Sequence, residues 1–136
     1  MKVLIGIVLA IAAYVLVGAA LALVTQAIWP DALPVDGQRP DGLAVLLVDL
    51  AGQCIACTVA GACAMTPSGL QLRRAVVGVG GPLLAITLVT TLATWSAMPD
   101  WYDAAVLALT LPFFALGSAW RNKAQTAAIS VTNHAR

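Results

Sequence analysis

The sequence predicts an all-α membrane protein, a four-transmembrane-helix up-down bundle with both termini in the cytoplasm. Of its 136 residues, 61% are hydrophobic and 10% are charged, whereas roughly a quarter of the residues in a soluble domain are charged. The hydrophobic residues form four long runs, and a run of about 20 apolar residues is long enough to cross a bilayer as a helix. Helices are expected because these runs lack the alternation of a barrel strand, and only helices and closed barrels satisfy every backbone polar group in lipid.

The first span is predicted over residues 3–29, an uncharged apolar run that follows Lys2. This run is longer than the roughly 7 to 15 residues of a signal-peptide hydrophobic region, so we expect the segment to be retained. Proline, glycine and aspartate residues between Asp31 and Asp41 indicate a turn-rich connection. The second span is predicted over residues 42–65.

The third and fourth spans are predicted over residues 75–97 and 101–120, and the intervening Pro99 and Asp100 indicate a tight turn. Residues 121–136 are polar and non-periodic, which predicts a disordered cytoplasmic tail after a bundle formed by residues 1–120. Within the two spans, proline and paired glycines should loosen or kink the helix. The residues concerned are Gly80, Gly81, Pro82 and Pro112.

The basic residues predict the orientation, because Lys and Arg near the ends of spans are retained on the cytoplasmic side. Of the seven basic residues, only Arg39 lies in a connection predicted to face outward. The other six fall at the opposite ends of the spans: Lys2, Arg73, Arg74, Arg121, Lys123 and Arg136. Trp29, Trp95, Trp101 and Tyr102 then lie at the outer interface, which aromatic rings favour. The alanine-rich composition, with Arg used more than Lys, favours a bacterial source and hence the inner membrane.

Asp49 is the only ionisable residue deep inside a predicted span, roughly 10 Å below the outer end at about 1.5 Å per residue. A charge at such a depth costs on the order of 2.5 to 3.5 kcal/mol on insertion scales, so this side chain should face protein. Gln53 shares its helix face at position i+4. Other polar residues lie at comparable depth, and we predict a polar layer across the bundle. Its members are Asp49, Gln53, Gln26, Thr87, Thr90, Thr91 and Thr110.

Two interpretations of this layer remain open. Its side chains could simply hold the helices together, since hydrogen bonds between membrane helices contribute about 0.6 to 2 kcal/mol. Alternatively, Asp49 with Gln53 and the threonines could line a path for a proton, ion or solute, or a pocket for a lipid headgroup. An intramembrane carboxylate is a functional candidate by default.

Small residues recur every four positions on the first two spans and should let helix backbones approach closely. On the second span they are Gly52, Ala56 and Ala60, and on the next stripe Cys57 and Gly61. On the first span Gly6, Ala10, Gly18 and Ala22 follow the same spacing, with Tyr14 among them. Packing within one chain is expected, and contact between copies is the alternative.

Cys54 and Cys57 form a C-x-x-C in a predicted four-helix membrane protein. In this respect the chain resembles the quinone-linked thiol oxidoreductases related to disulfide-bond formation proteins and vitamin K epoxide reductases. Those families require a second cysteine pair in a loop to relay electrons, whereas this chain has only Cys63 besides the pair. We therefore expect the cysteines to act as small apolar packing residues.

The last span carries a P-x-W-Y sequence at Pro99 to Tyr102, followed by Pro112, Gly117 and Arg121. It resembles the closing helix of small bacterial membrane proteins of about this length, with four predicted spans and no established activity. The resemblance implies the same topology and supplies no activity.

No nucleotide-binding loop, catalytic triad or metal-ligand spacing is present in the sequence. We therefore expect a non-enzymatic protein without a cofactor that acts as an accessory, scaffold or lipid-interacting subunit. Its expected partners are the lipid bilayer and a larger membrane protein or a second copy, and the net charge of +1 gives no footprint for nucleic acid. The alternative is a small transporter or channel component that uses Asp49.

Overall fold

The computed structural model describes residues 1–30, 42–66, 71–94 and 99–134, with side chains for all of these except residues 94 and 128–134. The first two helices are α1 (Lys2–Ile28) and α2 (Leu43–Ala64). The third span consists of α3 (Leu72–Ala75), a π-helical segment (Val76–Gly80) and α4 (Gly81–Thr94), and α5 (Asp100–His134) provides the fourth. Within these residues the chain is helical and contains no strand.

Within the described residues, four helical segments are long and apolar enough to cross a membrane. They correspond to α1, α2, the third span and the first 28 residues of α5. Long apolar side chains also cover much of the outside of the bundle, as expected for a surface that faces acyl chains. The predicted all-α membrane fold with four spans is thereby confirmed at the level of helix number, length and hydropathy.

The chain reverses direction between successive spans. Tyr14 of α1 contacts Gln53 of α2, while Ala10 lies near Ala60, so these helices are antiparallel. α2 and α5 are parallel, because contacts advance along both helices from the pair Asp49 and Tyr102 to the pair Met65 and Gln125. α2 is the central helix, since it makes the most extensive contacts with both α1 and α5.

The main core lies at the end of the bundle where α2 ends and the third span begins. Small side chains dominate it, and they allow close packing where helices gain no energy from expelling water. Phe114 is its largest completely buried side chain. The buried members are Ala10, Ala60, Ala64, Met65, Ala75, Val79, Leu83 and Phe114.

α2 and α5 approach most closely where Gly61 faces α5 and Gly117 faces α2. A Cβ atom at Gly61 would overlap the carbonyl oxygen of Phe114, and one at Gly117 would overlap the carbonyl oxygen of Thr58. The Ser118 hydroxyl donates a hydrogen bond to the Gly61 carbonyl oxygen at 3.0 Å. Gly61 of α2 therefore packs against α5 within one chain, whereas Gly52 lies against Leu21 of α1.

The structure departs from the predicted ends of the last two spans. α5 continues to His134, so the prediction of a disordered tail over residues 121–136 is wrong for residues 121–134. The segment after Arg121 contains good helix formers and neither glycine nor proline, and polarity alone does not end a helix. The Gln125 side-chain amide also donates to the Met65 carbonyl oxygen at 3.0 Å, which fixes the extension to the end of α2.

The third span begins at Leu72, three residues before its predicted start, and residues 95–97 of the prediction lie outside the described residues. The π-helical segment Val76–Gly80 lies immediately before Gly81 and Pro82. Proline has no backbone N–H and cannot donate to the carbonyl group four residues earlier, here that of Gly78. The expected loosening of this helix thus takes the form of a π-helical turn, whereas α5 continues through Pro112.

Candidate functional site

A polar cleft lies between the spans at the end of the bundle marked by Trp29 and Trp101, which we call the tryptophan end. Its volume is about 230 Å³. All four spans contribute to it, and α4 packs much less extensively on α1 and α5 than α2 does. The lining residues are Tyr14, Asp49, Gln53, Thr87, Thr90, Thr91, Tyr102, Asp103 and Val106.

Two hydrogen bonds between helices form one wall of the cleft. The Tyr102 hydroxyl of α5 donates to the Asp49 carboxylate of α2. The Tyr14 hydroxyl of α1 donates to the Gln53 side-chain oxygen at 2.7 Å. Asp49 and Gln53 share one face of α2 because they are four residues apart. Both tyrosine hydroxyl protons are consequently directed at acceptors within the protein.

Threonines of α4 line the opposite wall. Thr87 and Thr91 are buried, with 5% and 6% of their surface exposed, and Thr90 is more exposed. The Thr87 hydroxyl donates to the Leu83 carbonyl oxygen at 3.0 Å, the local hydrogen bond that threonine commonly makes inside a helix. Thr90 likewise donates to backbone oxygens of its own helix, at 2.9 and 3.1 Å. These hydroxyl protons therefore point at the helix backbone.

Asp103 is the most unusual residue of the cleft. Only 3% of its surface is exposed, and its Oδ2 atom has no hydrogen-bond partner among the described residues. Burying a polar atom without a partner costs about 1 to 3 kcal/mol, more for a charged group, so such atoms are rare in native proteins. The Asp103 carboxylate thus retains unused capacity to accept a hydrogen bond, and the same side chain lines the cleft.

The structure brings together five of the seven residues predicted to form the polar layer. Asp49, Gln53, Thr87, Thr90 and Thr91 all line the cleft. Thr110 and Gln26 do not line it. Thr110 is buried farther along α5, where its hydroxyl donates to the Val106 carbonyl oxygen at 2.7 Å, and Gln26 is exposed on α1.

Three polar residues of the cleft are absent from the predicted layer: Tyr14, Tyr102 and Asp103. Tyr14 occupies one position of the small-residue stripe of α1, so a large polar side chain on a packing face was the available signal. The sequence predicts an interfacial position for Tyr102, because aromatic rings favour the interface, and gives no signal for Asp103. Their burial depends on how α5 is rotated against α2, which the sequence pattern does not specify.

The cysteines lie outside the cleft. Cys54, Cys57 and Cys63 are all free, and Cys57 is buried. Cys54 and Cys57 border a narrow gap between α2 and α5 that also contains Thr110. Among the residues that the structure describes, no group of three or more His, Cys, Asp or Glu side chains could hold a metal ion.

An apolar groove adjoins the cleft on the surface between α1 and α2. Its volume is about 270 Å³, and Asp49 and Gln53 line both the groove and the cleft. A Cβ atom at Gly18 would have no other atom within 4 Å, so the absence of a side chain there leaves open space. The remaining lining residues are almost all apolar: Leu21, Ala22, Val24, Thr25, Ile28, Trp29, Val48, Ala51, Gly52 and Ile55.

Together the two concavities place the oxygen acceptors of the cleft next to a groove that can hold an apolar chain. The groove follows α1 from Gly18 to Ile28, a distance of roughly 15 Å at about 1.5 Å per residue. Such a combination suits a molecule with one polar and one apolar end. No protein-family model, curated protein sequence or solved structure matches this chain.

Proposed function

We propose that this chain is a non-enzymatic integral membrane protein that binds an amphiphile and acts as a lipid-interacting accessory subunit. The observation that carries the proposal is that the apolar groove and the polar cleft adjoin, with Asp49 and Gln53 lining both. In a protein surrounded by lipid, a groove open on the surface between two helices is accessible to acyl chains. The polar end of the same molecule would then enter the cleft.

The basic residues support a location in a bacterial inner membrane with both termini in the cytoplasm. Arg73 and Arg74 lie in the first turns of the third span, at the end of the bundle opposite the tryptophans. Trp29 is 45% exposed and Trp101 is 44% exposed, as expected for rings at a membrane interface. In this orientation the cleft and the groove lie in the outer half of the bilayer.

Native mass spectrometry of the protein purified in a mild detergent tests amphiphile binding. We expect one retained lipid on the wild-type chain, and its loss in a Gly18→Leu variant, whose new side chain would occupy the groove. Gly81→Leu is the matched control, because Gly81 also has open space at its Cβ position but lies outside the groove. Equal lipid retention by the two variants, or no retained lipid on the wild type, would refute the proposal.

The accessory role is tested by purification from native membranes without cross-linker. We expect a larger membrane protein to accompany the chain at a constant ratio through two chromatographic steps. A chain that elutes alone as a monomer, with its lipid bound, would leave amphiphile binding intact and would contradict the accessory role.

A small transporter or channel component is the second candidate, and the carboxylates of the cleft favour it. Asp49 and Asp103 both line a concavity between the spans, as polar groups on a solute path do. This function predicts pH-dependent solute or ion flux in proteoliposomes that Asp49→Asn abolishes. The amphiphile proposal predicts no flux above that of protein-free liposomes.

A further inference from the structure

The hydrogen-bond donors of the cleft are largely committed, and this restricts the chemistry of its ligand. The hydroxyl protons of Tyr14, Tyr102 and Thr87 are donated to Gln53, Asp49 and the Leu83 carbonyl oxygen. Thr90 donates to backbone oxygens of its own helix, and the Gln53 side-chain amide adds two N–H donors. A ligand that enters the cleft therefore meets mainly acceptors.

The charges of the cleft are also of one sign. Among the described residues that line it, two are carboxylates, Asp49 and Asp103, and none is basic. Asp49 already receives the hydrogen bond from Tyr102, whereas the Asp103 Oδ2 atom is buried without a partner. The part of the site that the structure describes therefore holds no cation that also supplies N–H or O–H donors.

We propose that the cleft binds the primary ammonium group of an amphiphile, with an N–H of that group donating to the Asp103 carboxylate. A primary ammonium carries three N–H donors and one positive charge, so it supplies both the donors and the charge that complement the carboxylates of the cleft. A quaternary ammonium supplies the charge without a donor, and an alcohol supplies a donor without the charge. This inference rests on the proposed amphiphile binding and specifies the chemistry of the polar end.

The position of Asp103 fits this assignment. It lies in the first turn of α5, whereas Asp49 lies on the second turn of α2, and both face the same cleft. Neighbouring Asp100 is a second carboxylate in the first turn of α5, but it is exposed and does not line the cleft. The chain thus provides a matched carboxylate outside the cleft for comparison.

Binding is measured by isothermal titration calorimetry on the full chain in an uncharged maltoside detergent, with protein-free micelles subtracted. Three probes share one alkyl chain: dodecylammonium, dodecyltrimethylammonium and dodecanol. We expect dodecylammonium to bind most tightly, and each of the other two to bind at least about tenfold more weakly. These comparisons use the wild-type protein and do not depend on the folding of a variant.

Two variants locate the interaction. Asp103→Asn should weaken dodecylammonium binding about tenfold or more and leave dodecanol binding unchanged, while Asp100→Asn should leave both unchanged. Equal binding of the three probes, or equal effects of the two substitutions, overturns the ammonium assignment. If dodecanol still binds in that case, amphiphile binding survives.

A short probe separates a lipid from a soluble ligand. Butylammonium has the same polar group without a chain that could fill the groove. We expect it to bind at least about tenfold more weakly than dodecylammonium, because the groove then remains empty. Equal affinities would support the ammonium site and contradict the proposed lipid interaction, and no binding of any probe would contradict both.

Discussion

Replacement of Gly117 by alanine should strongly destabilise the bundle, although it adds only one methyl group. The new Cβ atom would overlap the carbonyl oxygen of Thr58, which belongs to the backbone of α2 and cannot rotate away. Overpacking typically costs about 1 to 3 kcal/mol, and the rigid obstacle favours the upper part of that range. Separation of the helices would also weaken the hydrogen bond from Ser118 to Gly61, a contribution of about 0.6 kcal/mol. The intrinsic helix propensity of alanine offsets about 0.5 to 1 kcal/mol.

The net expectation for Gly117→Ala is a loss of about 2 kcal/mol in the free energy of unfolding. The assay is reversible unfolding in mixed micelles of a mild detergent and sodium dodecyl sulfate, followed by circular dichroism. Gly18→Ala is the control, because its Cβ would lie in open space, and it should be neutral or slightly stabilising. If Gly117→Ala were as stable as Gly18→Ala, the close contact between α2 and α5 would not exist as described.

Three further outcomes follow from the same contacts. Ser118→Ala should lower the free energy of unfolding by only about 0.6 kcal/mol in the same assay, since it removes a hydrogen bond without forcing the helices apart; a loss as large as that of Gly117→Ala would contradict this distinction. Tyr102→Phe removes the donor to Asp49 and should increase the rate at which a carbodiimide modifies Asp49, as measured by mass spectrometry. An unchanged rate would mean that the hydrogen bond between Tyr102 and Asp49 is not formed. Spin labels at Lys123, Ala124 and Ala127 should show the mobility of a helix in electron paramagnetic resonance spectra, and the rapid averaging of a flexible chain at all three positions would contradict the extension of α5.

The predicted residues that the structure brings together in the cleft include those whose chemistry contrasts most with their surroundings. Asp49 and Gln53 are conspicuous in an apolar run, and the energy needed to bury them requires a protein environment whatever the helix rotation. Helix periodicity then places them on one face. The number and approximate position of the spans follow from the same hydrophobic pattern, which depends on local sequence alone.

The residues that the sequence missed depend on contacts between helices. Tyr102 and Asp103 are equally compatible with an interfacial position, and only the packing of α5 on α2 buries them. Gly117 has no partner in a small-residue stripe, so its role becomes evident only when it faces Thr58. The sequence pattern does not indicate the helical continuation of α5, because polarity alone suggests disorder there, although Lys123, Ala124 and Gln125 are good helix formers.

Solid-state nuclear magnetic resonance can show whether one molecule occupies the groove with its apolar chain and the cleft with its polar end. The ¹³C-labelled protein would be studied in bilayers that contain a primary-amine lipid. We expect acyl-chain protons to lie close to Gly18. In the same sample, we expect the protons adjacent to the ammonium group to lie close to the Asp103 carboxylate. Acyl-chain contacts at Gly18 in the same sample, with only water protons near Asp103, would contradict this expectation.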